Sequence, residues 1–256
     1  MARFDLTDFE WSVIQPLLPQ KLRGVPRVDD HRVLNGIFWR LRTGAPWADI
    51  PARYGPHTTC VNRFNRWRKA GVWAMLLEAV SGAFEGDVQM IDSSSIRVHQ
   101  HAANGQKNRP IPLHGSLAGR PDDQDPCARR RALGRPIRLK LTEGQAHDGR
   151  SAADMFDTVE AGDILLADRA YDSDELRDRL AARGAGGNIR PMPNRVRHPV
   201  FSPWVYRQRN AVERFFNKLK HFRAIATRYD KRDDNYLASV QLAPMRIWLR
   251  SYESVT

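Results

Sequence analysis

The chain has 256 residues, which is enough for two modest domains or for one large domain with a helical appendage. Its 41 Lys and Arg against 29 Asp and Glu give a net charge of +12, which favours a polyanionic partner, most commonly nucleic acid. Two cysteines are too few for a disulfide framework, and no window approaches eighteen consecutive apolar residues, so neither secretion nor membrane insertion is indicated.

The first eighty or so residues are predicted to be helical. Thr7 and Glu10 have the spacing of a capping box at the start of the first helix. The second helix is predicted from about Asp30 to Thr43, with Gly44 as its C-terminal cap. Two more helices are predicted, from Thr58 or Thr59 to Lys69 and from about Val72 to Ser81.

The helix that ends at Lys69 follows a turn at Gly55, and the arrangement predicts a helix-turn-helix. Three of its positions are predicted to be exposed and carry side chains that can contact phosphates or base edges: Asn62, Arg63 and Arg66. A basic amphipathic helix in a helical bundle explains the same residues, and the sequence leaves both interpretations open.

From Val88 onward, short apolar strands are predicted to alternate with helices, which favours a mixed α/β sheet. Asp92 is predicted to end the first strand, and Asp168 directly follows a later one. An Asp at the end of a strand is also a common turn former, so neither acid is informative by itself.

The stretch from Tyr206 to Lys220 predicts one amphipathic helix. The side chains that could bind metal or phosphate fall on a single stripe of this helix: Tyr206, Arg209, Glu213 and Lys220. The surrounding segment is rich in Lys and Arg, as phosphate binding requires. Two simpler interpretations stay open: a solvated basic helix, and an ordinary i,i+4 ion pair between Arg209 and Glu213.

The spacing Tyr206-(2)-Arg209-(3)-Glu213-(6)-Lys220 resembles the signature of DDE transposases from bacterial insertion sequences, in the insertion-sequence-five-like group. Asp92 and Asp168 stand where that family has its catalytic aspartates. The resemblance implies an RNase H-like fold in which Asp92, Asp168 and Glu213 are the catalytic, metal-binding carboxylates. It also implies two Mg²⁺ ions, with Mn²⁺ able to substitute.

The same resemblance implies a cytoplasmic, DNA-associated bacterial protein that binds the terminal inverted repeats of its element and moves it by cleavage and strand transfer. Tyr206, Arg209 and Lys220 are then expected to contact DNA. A homodimer is expected in the synaptic complex, because two element ends must be held together. The predicted domains are a helical DNA-binding domain over 1–85 and an RNase H-like catalytic domain over 86–256.

Residues 116–132 depart from the family pattern, which has a strand here. The segment lacks alternation and contains Pro126, so it is predicted to be irregular. Reading each adjacent residue pair one base later permits a strand of the family type, and we therefore hypothesise two compensating frameshifts. Without that strand, buried backbone groups would lack partners and the transposase would be inactivated. A non-catalytic DNA-binding remnant acting through the N-terminal helices, and a metal-dependent nuclease without strand transfer, remain alternatives.

Overall fold

A computed structural model gives the structure of the chain and describes residues 4–19, 28–81, 88–98, 111–119, 135–141, 159–196 and 198–253. The chain divides into two compact units. The helical unit comprises Met1–Val80, Ile96–Asn108 and Lys218–Thr256, and the sheet unit comprises Ser81–Ser95 and Arg109–Asn217. No helix in the described part of the chain is long and apolar enough to cross a membrane.

The predicted domain boundary after residue 85 lies close to the first junction between the units, at Val80 and Ser81. The division is nevertheless not linear, because the C-terminal residues from Lys218 onward return to the helical unit. The sequence patterns gave no indication of this return, since it depends on contacts between segments that are far apart in the chain.

The helices of the helical unit begin and end close to their predicted bounds. They are α1 (Asp8–Ile14), α2 (Asp30–Thr43), α3 (His57–Lys69) and α4 (Val72–Ser81). The Thr7–Glu10 capping box is present, because the Glu10 amide donates to the Thr7 hydroxyl and the Thr7 amide donates to the Glu10 carboxylate. Gly44 caps α2 with a φ of 71°, as predicted.

The C-terminal segment adds two helices to this unit, α8 (Arg223–Ala226) and α9 (Asp233–Glu253). Helix α9 packs against α1, α2 and α3. A buried ion pair joins Arg246 on α9 to Glu10 on α1, which explains how an acid in the first helix is tolerated with no solvent exposure. The apolar face of α2 forms part of the core: its buried side chains are Val33, Leu34, Ile37, Phe38 and Leu41.

The sheet unit is built on a mixed sheet, as predicted. Its strands are β1 (Val88–Val98), β2 (Ile111–Gly119), β3 (Arg135–Leu141), β4 (Ile164–Ala167) and β5 (Gly186–Ile189). Their spatial order is β3-β2-β1-β4-β5. Strand β4 runs parallel to both β1 and β5, whereas β2 and β3 are antiparallel. In the helical unit, the end of β1 pairs with a short β6 (Thr227–Arg228).

The expectation that the sheet lacks a strand between β1 and β3 is wrong. Strand β2 occupies that place and extends to Gly119, so the first residues of the segment 116–132 are regular. The strand begins upstream of the family pattern because Ile111, Leu113 and Leu117 already supply an apolar repeat with a period of two. Nothing in the described residues supports a frameshift, and residues 120–134 lie outside them.

The described core of the sheet unit lies around β4 and helices that flank it. Helix α5 (Asp174–Ala182) is capped by the Ser173 hydroxyl, which accepts from the Leu176 amide. Leu176 and Leu180 on this helix pack in one buried cluster with Leu165 of β4 and Ile189 of β5. This packing fixes the position of β4, and Asp168 directly follows that strand.

Candidate active site

Asp92 and Asp168 occupy equivalent places on neighbouring parallel strands. The register pairs Met90 of β1 with Leu166 of β4, and each aspartate follows its member of that pair by two residues. Neighbouring strands lie about 4.8 Å apart, so the two backbones carry their acids at the same level of the sheet. Asp92 was predicted to end β1, but the strand continues to Val98. For Asp92 the structure gives the backbone position only.

Asp168 directly follows β4 and opens a 3₁₀ turn over Arg169–Tyr171. Its Oδ1 atom accepts a hydrogen bond of 3.0 Å from the Ala170 amide, so the residue is a turn former as well as a candidate ligand. The carboxylate is one-third exposed, and its Oδ2 atom is directed to a guanidinium, 3.6 Å from Nη2 of Arg209. The turn thus fixes one oxygen and leaves the other for an external partner.

The predicted single helix over Tyr206–Lys220 is wrong, because the segment is broken. Helix α6 covers Pro203–Tyr206, a 3₁₀ turn covers Arg207–Arg209, and helix α7 covers Asn210–Lys220. Only Glu213 and Lys220 of the predicted stripe therefore share a regular α-helix. Both of these side chains are exposed, and the apolar face of α7 is confirmed by the buried side chains of Phe215, Phe216 and Leu219.

Arg209 joins two of the three predicted acids. Its Nη1 atom lies 3.4 Å from Oε1 of Glu213, and its Nη2 atom lies 3.6 Å from Oδ2 of Asp168. The i,i+4 pair with Glu213 is therefore real, but it is half of a wider arrangement. The side chain of Arg209 is only 15% exposed, and its Cζ atom lies 5.9 Å from the ring centroid of Tyr206. Two carboxylates from distant segments thus converge on one cation.

The donor chemistry of this arrangement fits a divalent metal ion. Carboxylate oxygens are the hard ligands that Mg²⁺ prefers, and Asp168 and Glu213 already share a positive partner. Among the side chains that the structure describes, no group of three or more His, Cys, Asp or Glu could hold a metal. Two of the three predicted ligands are brought together, and the third is placed by strand register alone.

The predicted exposure of Arg63 on α3 is wrong. Its side chain is 4% exposed, forms an ion pair with Asp30, and lies over the Trp67 ring with Cζ 5.1 Å from the centroid. Because Cys60 and Trp67 are three residues before and four after it, Arg63 belongs to the inward face of the helix. Asn62 and Arg66 are exposed, as predicted.

A buried ion cluster behind Asp168 was not found from the sequence. The Asp172 carboxylate has no solvent exposure and accepts from Arg177 at 2.9 Å, Arg195 at 2.7 Å and the Met192 amide at 2.8 Å. Burial alone raises the pKa of this carboxyl, but these donors together outweigh burial and the pKa is lowered. No sequence signal links these residues, because Arg195 belongs to the loop after β5.

This cluster ties the turn after Asp168 to strand β5. Besides its contacts with Asp172, the Arg177 guanidinium donates to the backbone carbonyls of Gly187 and Ile189 in β5. Asp172 in turn holds the loop through the Met192 amide. The residues therefore position the turn that follows the carboxyl-terminal end of β4, where Asp168 lies.

Comparison with known proteins defines the class of protein to which this site belongs. The family described as "Transposase DDE domain" matches residues 83–245, and the family described as "Putative transposase of IS4/5 family" matches residues 6–77. The structure is similar to that of a piggyBac transposase in a synaptic complex with hairpin DNA. That likeness has a TM-score of 0.51 at 9% identity, covers 96% of this chain and 72% of the other, and concerns the fold alone. The class is that of metal-dependent polynucleotidyl transferases with an RNase H-like fold.

Curated relatives indicate which members of this class the chain is similar to: the transposases of insertion sequences. The chain is 37% identical over 120 residues to a Brucella ovis protein named "Putative transposase for insertion sequence element IS6501", covering 46% of this chain and 92% of that protein. It is 36% identical over 111 residues to the "Insertion element IS402 uncharacterized 16.2 kDa protein" of Burkholderia cepacia, covering 38% of this chain and 76% of that protein. The chain belongs to the transposase DDE domain family and is a DDE-type transposase of an insertion sequence.

Proposed function

We propose that the protein binds the terminal inverted repeats of its insertion sequence and catalyses Mg²⁺-dependent DNA cleavage and strand transfer. Asp92, Asp168 and Glu213 are the proposed catalytic ligands. The observation that carries this proposal is the convergence of Asp168 and Glu213, from separate elements, on one guanidinium group. The equal register of Asp92 and Asp168 on β1 and β4 supports the third ligand.

The three acids have complementary tasks. Close carboxylates repel each other, so a site of this kind is stable only with cations between its oxygens. When bound, two Mg²⁺ ions supply the charge that activates the attacking oxygen and stabilises the leaving oxygen of a phosphodiester, and Mn²⁺ can replace them. Asp168 holds one ligand oxygen steady because its other oxygen is fixed by the Ala170 amide. Glu213 projects from the exposed face of α7, where DNA can approach.

Basic and aromatic groups in the stretch from Tyr206 to Lys220 are the proposed contacts with the DNA backbone. Lys220 is exposed at the end of α7 and offers a positive charge to phosphate. Arg209 can bind phosphate with its two terminal guanidinium nitrogens, and Tyr206 lies beside it. Arg63 is removed from the proposed DNA contacts because Asp30 already holds it in the helical core.

The N-terminal helices are the proposed readers of the element ends. Asn62 and Arg66 on α3 are exposed and have the side-chain types that contact base edges and phosphates. The piggyBac neighbour is described in a synaptic complex with hairpin DNA, which supports DNA as a partner. A homodimer is the proposed working assembly, because two element ends must be held together. A cytoplasmic location is proposed with the same role, because the protein acts on the DNA of a bacterial cell.

The test uses the purified full chain with a labelled duplex that ends in the terminal repeat, a target plasmid and Mg²⁺. We expect nicked and joined products, and we expect Glu213→Gln to abolish both. The matched control is Glu175→Gln, an exposed glutamate on α5 that loses the same charge outside the site. End binding in a gel-shift assay without metal should survive in both variants.

Each alternative function has its own pattern in this assay. Nicked but never joined products would identify a nuclease without strand transfer. End binding by the unmutated chain without any cleavage would identify a non-catalytic DNA-binding remnant. Loss of cleavage in Glu175→Gln as well as Glu213→Gln would show that the effect is not specific to the site.

A further inference from the structure

We propose that Arg209 is the resident counterion of the metal-free site and competes with divalent metal for Asp168 and Glu213. This inference rests on the proposed function and deepens it, because it assigns Arg209 a task in metal loading before any DNA is bound. Metal entry and release of the guanidinium from the two carboxylates are then a single exchange.

The geometry is that of a cation held between two anions. One nitrogen of the Arg209 guanidinium is directed to each carboxylate, at 3.4 Å from Glu213 and 3.6 Å from Asp168. The side chain is largely shielded from solvent, so its charge is screened less by water and salt than that of an exposed arginine. The guanidinium therefore neutralises the same oxygens that a metal ion requires.

The contacts are loose, which makes them exchangeable. Charge-assisted N–H···O bonds typically measure about 2.7–2.9 Å, and the contacts of Arg209 with Asp168 and Glu213 are longer. In the same unit, the structural pairs of Asp172 with Arg177 and Arg195 measure 2.9 and 2.7 Å. The structure thus distinguishes a tight ion cluster that holds the fold from a loose one that can give way to another cation.

A metal ion and the guanidinium cannot share these oxygens at close range. Both are positive, so they repel each other at the separation of neighbouring ligands. Arg209 must therefore move away from the carboxylates when a divalent ion enters. A guanidinium released in this way is available for the phosphate contact proposed above, so metal loading precedes tight phosphate binding.

The test measures metal affinity without DNA or turnover. Free Mn²⁺ is followed by electron paramagnetic resonance as it is added to the full chain and to Arg209→Gln. We expect Arg209→Gln to bind Mn²⁺ about tenfold more tightly, since the competing charge lies at the site. That change corresponds to about 1.4 kcal/mol in binding free energy.

Two further variants separate competition from other effects. Arg207→Gln removes the same charge from an exposed position in the same 3₁₀ turn, and we expect its Mn²⁺ affinity to stay within about twofold of the unmutated chain because solvent screens it. Arg209→Lys keeps the charge, and we expect it to retain the weaker affinity of the unmutated chain. Circular dichroism confirms that each variant is folded.

The outcomes distinguish this inference from the function on which it rests. If Arg209→Gln binds Mn²⁺ no more tightly than Arg207→Gln, Arg209 is not a competing counterion and the inference is overturned. If Glu213→Gln then still loses Mn²⁺ binding, the proposed metal site stands. If Asp168→Asn and Glu213→Gln both bind Mn²⁺ like the unmutated chain, the metal site and the inference fail together.

Discussion

Replacement of Arg63 or Arg66 by alanine separates a structural arginine from a proposed DNA contact on the same helix. The two residues are one turn apart on α3, but Arg63 is 4% exposed and paired with Asp30, whereas Arg66 is exposed. We expect Arg63→Ala to lower the free energy of unfolding and Arg66→Ala to leave it nearly unchanged. We expect Arg66→Ala, in contrast, to weaken DNA binding in a salt-dependent way.

The magnitude for Arg63 follows from what its removal leaves behind. Breaking a buried ion pair by removing one partner costs about 3–5 kcal/mol, because the remaining charge loses its counterion. Asp30 is 17% exposed and can recover some hydration, so the lower end of that range, about 3 kcal/mol, applies. Loss of the contact with the Trp67 ring acts in the same direction. An exposed arginine such as Arg66 contributes about 0.5 kcal/mol or less to stability.

Urea unfolding, followed by tryptophan fluorescence, measures the stability of each variant. A loss of about 3 kcal/mol in Arg63→Ala corresponds to a decrease of about 1 M or more in the urea midpoint. Fluorescence anisotropy with an element-end duplex at two salt concentrations measures binding, and Arg66→Ala should reduce the salt slope by about one. If Arg63→Ala keeps the unmutated midpoint and loses DNA affinity, the assignment of Arg63 to the core is wrong.

Three further predictions concern stability and reactivity. Asp172→Asn should cost about 3–5 kcal/mol at neutral pH. Because the folded-state pKa of Asp172 is lowered, its contribution to the free energy of unfolding is present above the unfolded pKa of about 3.9 and is lost as the pH falls through the folded value. Urea unfolding from pH 7 to pH 2 measures this dependence, and Asp172→Asn should lack it. Gly44 and Gly71 both have a φ of 71°, but a Cβ at Gly44 would lie 2.9 Å from the Arg223 Cβ, whereas one at Gly71 meets nothing within 4 Å. Thermal unfolding should therefore show Gly44→Ala to be more destabilised than Gly71→Ala, and equal melting temperatures would contradict the close contact. Cys60 is buried, and burial raises the pKa of its thiol. Peptide mapping after iodoacetamide treatment should therefore find Cys60 unlabelled until urea is added. Labelling of the native chain would contradict its burial.

Features that depend on neighbouring residues could be predicted from the sequence. The capping box at Thr7 and the glycine cap at Gly44 both lie where the sequence indicates them. Each depends on hydrogen bonds or backbone angles within a few residues, so the local sequence carries the whole signal. The position of Asp168 after an apolar strand was predictable for the same reason.

The resemblance to DDE transposases indicated the candidate acids, but only the structure shows which residues these acids contact. The sequence indicates Arg209 and Glu213 as an i,i+4 pair, and only the structure shows that Asp168 reaches the same guanidinium. The break between α6 and α7 separates Tyr206 from the helix that carries Glu213. The described contacts give no physical reason for that break.

The remaining features were decided by contacts between segments distant in the chain. Periodicity alone could not assign Arg63 to the core, because an arginine next to apolar positions is buried only when a partner such as Asp30 meets it. The Asp172 cluster depends on a loop that follows β5. The sequence by itself therefore determined most of the local elements and the basic charge, and its resemblance to a family indicated the acids of the candidate site. The tertiary structure decided which charges are buried, which are paired and which remain exposed, because desolvation and pairing depend on the neighbours that folding brings together.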